Sequence, residues 1–142
     1  EQPQTEQPAP AKAKDISGLH LLLVEDNALN AEIAAALLAD RGVSVELARD
    51  GSEAVRMFRE APAGTYAGII MDIMMPVMDG LTATRAIRAL ERADAKTIPI
   101  IAMTANAFEE DARQCLDAGM NVHLAKPLCM EELVATLARL CA

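Results

Sequence analysis

With 142 residues, 52% of them apolar and 24% charged, the chain has room for one compact domain and a composition that excludes disorder along its whole length, a collagen-like rod and a coiled coil. A formal charge of −8, with Phe58, Tyr66 and Phe108 as the aromatic residues, supplies neither the positive field nor the stacking platform that direct nucleic-acid binding needs. No apolar run approaches the ~20 residues of a membrane span, and Cys115, Cys129 and Cys141 follow no metal or disulfide framework, so a cytoplasmic domain without direct membrane contact is expected.

Residues 1–16 carry Gln, Pro, Glu, Ala and Lys with almost no large apolar side chain, and read as a flexible linker because they cannot offset the entropy of ordering. With Glu1 in place of an initiating Met, this tail is expected to continue from a longer chain; residues 17–142 form the folded domain. The first apolar run, 19–24, predicts a strand, and Asn30, Ile33, Ala34, Leu37, Leu38 and Arg41 then follow helical spacing, with Gly42 where a left-handed cap belongs. On that spacing Ile33 and Leu37 are expected to face the core. Leu29, Glu32 and Ala35 would then fall on a partner-facing side. Strands are predicted at 43–48, 66–71, 98–103 and 121–125, each short and nearly continuous as strands covered on both faces require. Helices are predicted at 51–60, 81–92, 108–118, stopped by Gly119, and 130–140. Such alternation predicts an α/β fold, a doubly wound five-stranded parallel sheet of order 2-1-3-4-5 with helices on both faces, because parallel neighbours need helical crossovers.

In an open parallel sheet, function sits beyond the carboxyl ends of the strands. The first strand is followed by Glu25 and Asp26, the third by Asp72, the fourth by Thr104 and the fifth by Lys126 and Pro127. Taken singly, the acidic pair also reads as a helix N-cap, Asp72 as a turn residue, Thr104 as a cap and Lys126 as a solvated loop lysine. Together they put carboxylates, a hydroxyl and an ammonium at one edge. Clustered carboxylates repel each other, so a cation is expected among them, and hard oxygen ligands favour Mg²⁺.

The stretches Leu22-Leu-Val-Glu-Asp-Asn27, Met71-Asp-Ile-Met-Met-Pro-Val-Met-Asp-Gly80, Ile100-Ile-Ala-Met-Thr-Ala-Asn106 and His123-Leu-Ala-Lys-Pro127 resemble, in order, the signature segments of the receiver domain of two-component response regulators. The surrounding wording is similar to that of receivers attached to hybrid sensor histidine kinases. The resemblance implies a flavodoxin-like receiver fold over 17–142, with Asp72 as the phosphoacceptor. It implies Mg²⁺ on Asp26, Asp72 and the backbone carbonyl of Met74, with Glu25 acting through a water. Thr104 and Lys126 would contact the phosphoryl group, and Thr104 with His123 would form the switch. His123 stands where Tyr or Phe is common, and a half-buried strand histidine without a switching role is the other reading. The Lys126–Pro127 bond is expected to be cis. The implied partner is a histidine kinase or a histidine-containing phosphotransfer domain, and such a domain would catalyse only its own phosphorylation and dephosphorylation.

Two rival readings are weighed on residues. A haloacid-dehalogenase-like phosphatase needs a second Asp two positions after its nucleophile, where this chain has Met74. A degenerate receiver serving only as an interaction module is opposed by the complete acidic set.

Overall fold

The structure, a computed structural model, describes residues 16–62, 64–72, 80–91, 93–104, 113, 116–125 and 130–141. In chain order the elements are β1 (His20–Val24), α1 (Ala28–Ala39), β2 (Ser44–Ala48), α2 (Gly51–Glu60), β3 (Gly68–Asp72), α3 (Gly80–Arg88), α4 (Ala93–Thr97), β4 (Ile100–Thr104), β5 (Val122–Ala125) and α5 (Met130–Cys141). The strands form one parallel sheet in the order β2-β1-β3-β4-β5, as the alternation of runs predicts.

Strand side chains alternate between the two faces. Leu21, Leu23, Ile70, Ile101 and Met103 turn to the face covered by Leu38 of α1 and by Leu133 and Leu137 of α5. Leu22, Val24, Ile69, Met71 and Ile100 turn to the face covered by Ala54 and Phe58 of α2, Ala83 and Ile87 of α3 and Ala95 of α4. Both faces being buried explains why the central strands are apolar without a break. Ile16, expected at the end of the linker, is instead buried and belongs to the core on the α1–α5 side.

Gly42 closes α1 as expected, at φ +83. A Cβ there would lie 2.7 Å from Ser17 Cβ, so the close approach requires glycine as much as the left-handed backbone does. Asp50 caps α2 by accepting from Glu53 N–H at 2.8 Å, while Glu53 reaches back to Arg49 N–H at 2.6 Å. Of the helix expected over 108–118, residues 113 and 116–118 are helical and Gly119 follows at φ +112; the remainder lies outside the described residues.

Two further expectations need correction. The single helix expected over 81–92 ends at Arg88, and a second short helix, α4, follows it. The cause is tertiary. Lys96 donates from Nζ to the carbonyls of Arg88 and Leu90, and Arg88 itself donates to Ala95 O at 3.1 Å, so the chain folds back on its own helix end. On α1, Ile33 and Leu37 do not face the core: they are 50% and 43% exposed, on the same side as Leu29 at 66%. The side turned to the core carries Ala31 and Leu38, both buried, with Ala34 partly buried against the same cluster. Because Glu32 is the one charged residue of α1, apolar spacing alone could select either face.

Candidate functional site

The site follows from strand register. Val24 pairs with Met71 across β1 and β3, so the next residues, Glu25 and Asp72, stand level. Asp72 pairs with Met103 across β3 and β4, and Thr104 pairs with Ala125 across β4 and β5. The carboxyl ends of the four strands therefore form one ledge. Glu25 and Asp26 occupy one side of it, Asp72 the middle, and Thr104, the last residue of β4, the other side.

On that ledge Glu25, Asp26 and Asp72 each offer a carboxylate oxygen, and these lie within 4.8 Å of one another. Asp72 is 2% exposed and Glu25 5%, whereas Asp26 is open to solvent. Glu25 is fixed by its own N–H donating to Ala48 O at 3.0 Å, and its Oε1 accepts from Asn27 N–H at 3.3 Å. The acidic pair is not the cap of α1. Asn27 is, accepting from Asn30 N–H at 3.0 Å. That division of labour was readable from Asn27 as a strong capping residue, and it leaves both acids directed to the ledge.

Three like charges at this spacing, two of them withheld from water, form a repulsive set that a small hard cation would relieve. The donor set is all carboxylate oxygen, with one exposed member through which a hydrated ion can approach, and so fits Mg²⁺. His123 lies half-buried in β5 beside Ala102, on the opposite face of the strand from Leu124. Lys126, Met74 and the Lys126–Pro127 bond lie outside the described residues, as does the side chain of Thr104.

Similarity to known proteins agrees with this geometry. Residues 21–138 match the response regulator receiver domain. The chain is 38% identical over 139 residues to probable histidine kinase 2 of Oryza sativa subsp. indica, covering 90% of this chain and 13% of that protein. It is 38% identical over 132 residues to the osmosensing histidine protein kinase SLN1 of Saccharomyces cerevisiae, covering 91% of this chain and 11% of that one. The chain thus spans a small part of the curated relatives it matches. Among solved structures, the receiver domain of sensor histidine kinase PA1611 from Pseudomonas aeruginosa, with a magnesium ion coordinated in its active site cleft, has 45% identity and a TM-score of 0.78 over 88% of this chain and 98% of that one. The Saccharomyces cerevisiae Ssk1 receiver, in co-crystal with the histidine phosphotransfer protein Ypd1, has 30% identity and a TM-score of 0.76 over 87% of this chain and 88% of that one. On sequence, sheet order and acidic ledge alike, the chain belongs to the response regulator receiver domain family.

Proposed function

We propose that this receiver takes a phosphoryl group onto Asp72 from a phosphohistidine of a histidine kinase or a phosphotransfer domain, and that the acyl phosphate changes which partner it binds. The observation that carries this reading is the convergence of Glu25, Asp26 and Asp72 at the level ends of β1 and β3. A carboxylate oxygen of Asp72 forms the new O–P bond as the P–N bond of the donor breaks, and the departing imidazole nitrogen takes up a proton. Burial of Asp72 keeps bulk water from competing at that oxygen. Asp26, Asp72 and the carbonyl of Met74 would hold Mg²⁺, with Glu25 acting through a water. When bound, the ion neutralises charge on the transferring oxygens. The Lys126 ammonium offers a second cation, Thr104 donates its hydroxyl to a phosphoryl oxygen, and His123 relays the change to the β5 side. Asp26→Ala is expected to weaken Mg²⁺ binding roughly tenfold by removing one direct ligand. Calorimetric titration checks this, and wild-type affinity in the variant would overturn the metal assignment.

We place the phosphodonor's docking surface on α1, which begins directly after the acidic loop. Leu29, Ile33 and Leu37 form an exposed apolar stripe along it, suited to the apolar flank of a histidine-bearing helical bundle. The Ssk1 receiver seen with Ypd1 is similar to this domain. Leu29→Glu is expected to slow transfer from a protein phosphodonor about tenfold, the loss of one well-packed anchor. Labelling by a small acyl phosphate should be unchanged. Equal loss in both assays would mean that the acidic ledge, not docking, was damaged.

The parent protein is proposed to be a hybrid histidine kinase that presents this domain in the cytoplasm. No helix among the described residues is long and apolar enough to cross a membrane.

A further inference from the structure

At the end of the sheet remote from the acidic ledge, side chains from separate segments close into one network. His20 begins β1 and pairs directly with Ser44, which begins β2, so both point to the same face, and Glu46 follows on that face two residues later. His20 Nδ1 lies 2.8 Å from Ser44 Oγ, and His20 Nε2 donates to Glu46 Oε2 at 2.9 Å. Tyr66, ahead of β3, donates its hydroxyl to Glu46 Oε1 at 2.8 Å. The imidazole stacks on the Tyr66 ring with centroids 5.4 Å apart, and that ring in turn stacks on Phe58 of α2. Both carboxylate oxygens of Glu46 are thereby engaged.

β2 is an edge strand, and Ala48 is the one residue of its five that is buried. Few apolar contacts therefore hold it, and a polar network carries much of its side-chain attachment. We propose that His20, Ser44, Glu46 and Tyr66 form a pH-responsive clasp that pins β2 to β1 and to the segment ahead of β3, tightest when an imidazolium faces the carboxylate.

The proton positions allow both states. With both ring nitrogens protonated, Nδ1–H donates to Ser44 Oγ, and the Ser44 hydroxyl turns to Leu19 O at 3.4 Å. With Nε2 alone protonated, Ser44 donates to Nδ1 instead. Neither state leaves a donor stranded, so the difference between them is the charge facing Glu46. Imidazoles as a class exchange that charge between about pH 5 and 8. The groups acting on Glu46 are His20 and Tyr66; α2 contributes the Phe58 ring, and the charged residues of its last turn, Arg59 and Glu60, are exposed.

The acid limb has a definite sign. The hydrogen bond from His20 and then that from Tyr66 hold the Glu46 carboxyl below its ordinary value of 4.5. A depressed folded-state value means that the stabilisation is present above the unfolded value and is lost as pH falls through the folded one. Burial first, and Glu46 second, push Tyr66 up to about 12, so it remains a donor throughout.

The test is a double-mutant cycle of His20→Ala and Glu46→Gln, read by urea unfolding near pH 6 and near pH 8.5. The clasp predicts a coupling of about threefold in the unfolding equilibrium at the lower pH that shrinks at the higher. Equal coupling at both pH values, or none at either, overturns it. Should a variant fail to fold, amide exchange of residues 44–48 in the wild type, corrected for intrinsic rates and normalised to β3, should show protection falling as pH rises through the same window. An unchanged ratio overturns the proposal equally.

Discussion

Arg88→Ala is expected to lower the free energy of unfolding by about 2–3 kcal/mol, the range for removing a multiply bonded charged donor from a partly buried position. The guanidinium donates from Nε and Nη2 to Gly119 O at 3.0 and 2.8 Å, from Nη1 to Ala95 O at 3.1 Å and from Nη2 to Asn121 Oδ1 at 3.0 Å. It thus ties the end of α3 to α4 and to the turn that feeds β5. Asn121 Oδ1 also accepts Ile100 N–H at 2.8 Å, so the same cluster sets the starts of β4 and β5. Burial lowers the pKa of Arg88, yet the carbonyls around it repay the desolvation, and removing the side chain would leave Gly119 O and Ala95 O without these donors. Arg88→Lys should recover little, because one ammonium cannot reproduce a planar fork spread over three acceptors. Urea unfolding measures both, and a loss below about 0.5 kcal/mol, ordinary for a surface change, would refute the clamp.

Asp72→Asn is expected to stabilise the metal-free domain while removing most of its response to Mg²⁺. Three carboxylates with oxygens within 4.8 Å repel one another, and replacing the central buried one with an isosteric amide removes that repulsion. At an effective dielectric constant near 20, a gain of about 1–2 kcal/mol is reasonable after solvent relaxation. The wild type should recover the difference on adding Mg²⁺, since saturation to 100 times the dissociation constant stabilises a binding-competent fold by about 2.7 kcal/mol. Parallel urea unfolding curves with and without Mg²⁺ measure this. A variant less stable than wild type in chelator, or equally stabilised by Mg²⁺, would contradict the shared-cation picture of the ledge.

The sheet and ledge were legible because short apolar runs between helical stretches admit few topologies, and because Glu25, Asp26, Asp72 and Thr104 each end or follow a run. The exposed face of α1 was not. With leucines, isoleucine and alanines around nearly its whole circumference, helical spacing fits two stripes, and the fold buries the one that carries Ala31 and Leu38. The break between α3 and α4 was hidden for a different reason. Residues 81–92 keep a helical pattern throughout, and the interruption comes from Arg88 and Lys96 bonding to backbone outside their own turn. The His20 network shares this character, since Ser44 and Glu46 lie 24 and 26 residues away in sequence and meet the ring through strand register.

The role of Asp72 is tested most directly by treating the wild-type domain and Asp72→Asn with a small acyl phosphate, with and without Mg²⁺, and locating the added mass by intact-protein and peptide mass spectrometry. The expected result is a single hydroxylamine-sensitive phosphoryl group on Asp72, formed with Mg²⁺ and absent from the variant. Label retained by Asp72→Asn, or incorporated into wild type equally well in chelator, would contradict a metal-assisted phosphoacceptor at this position.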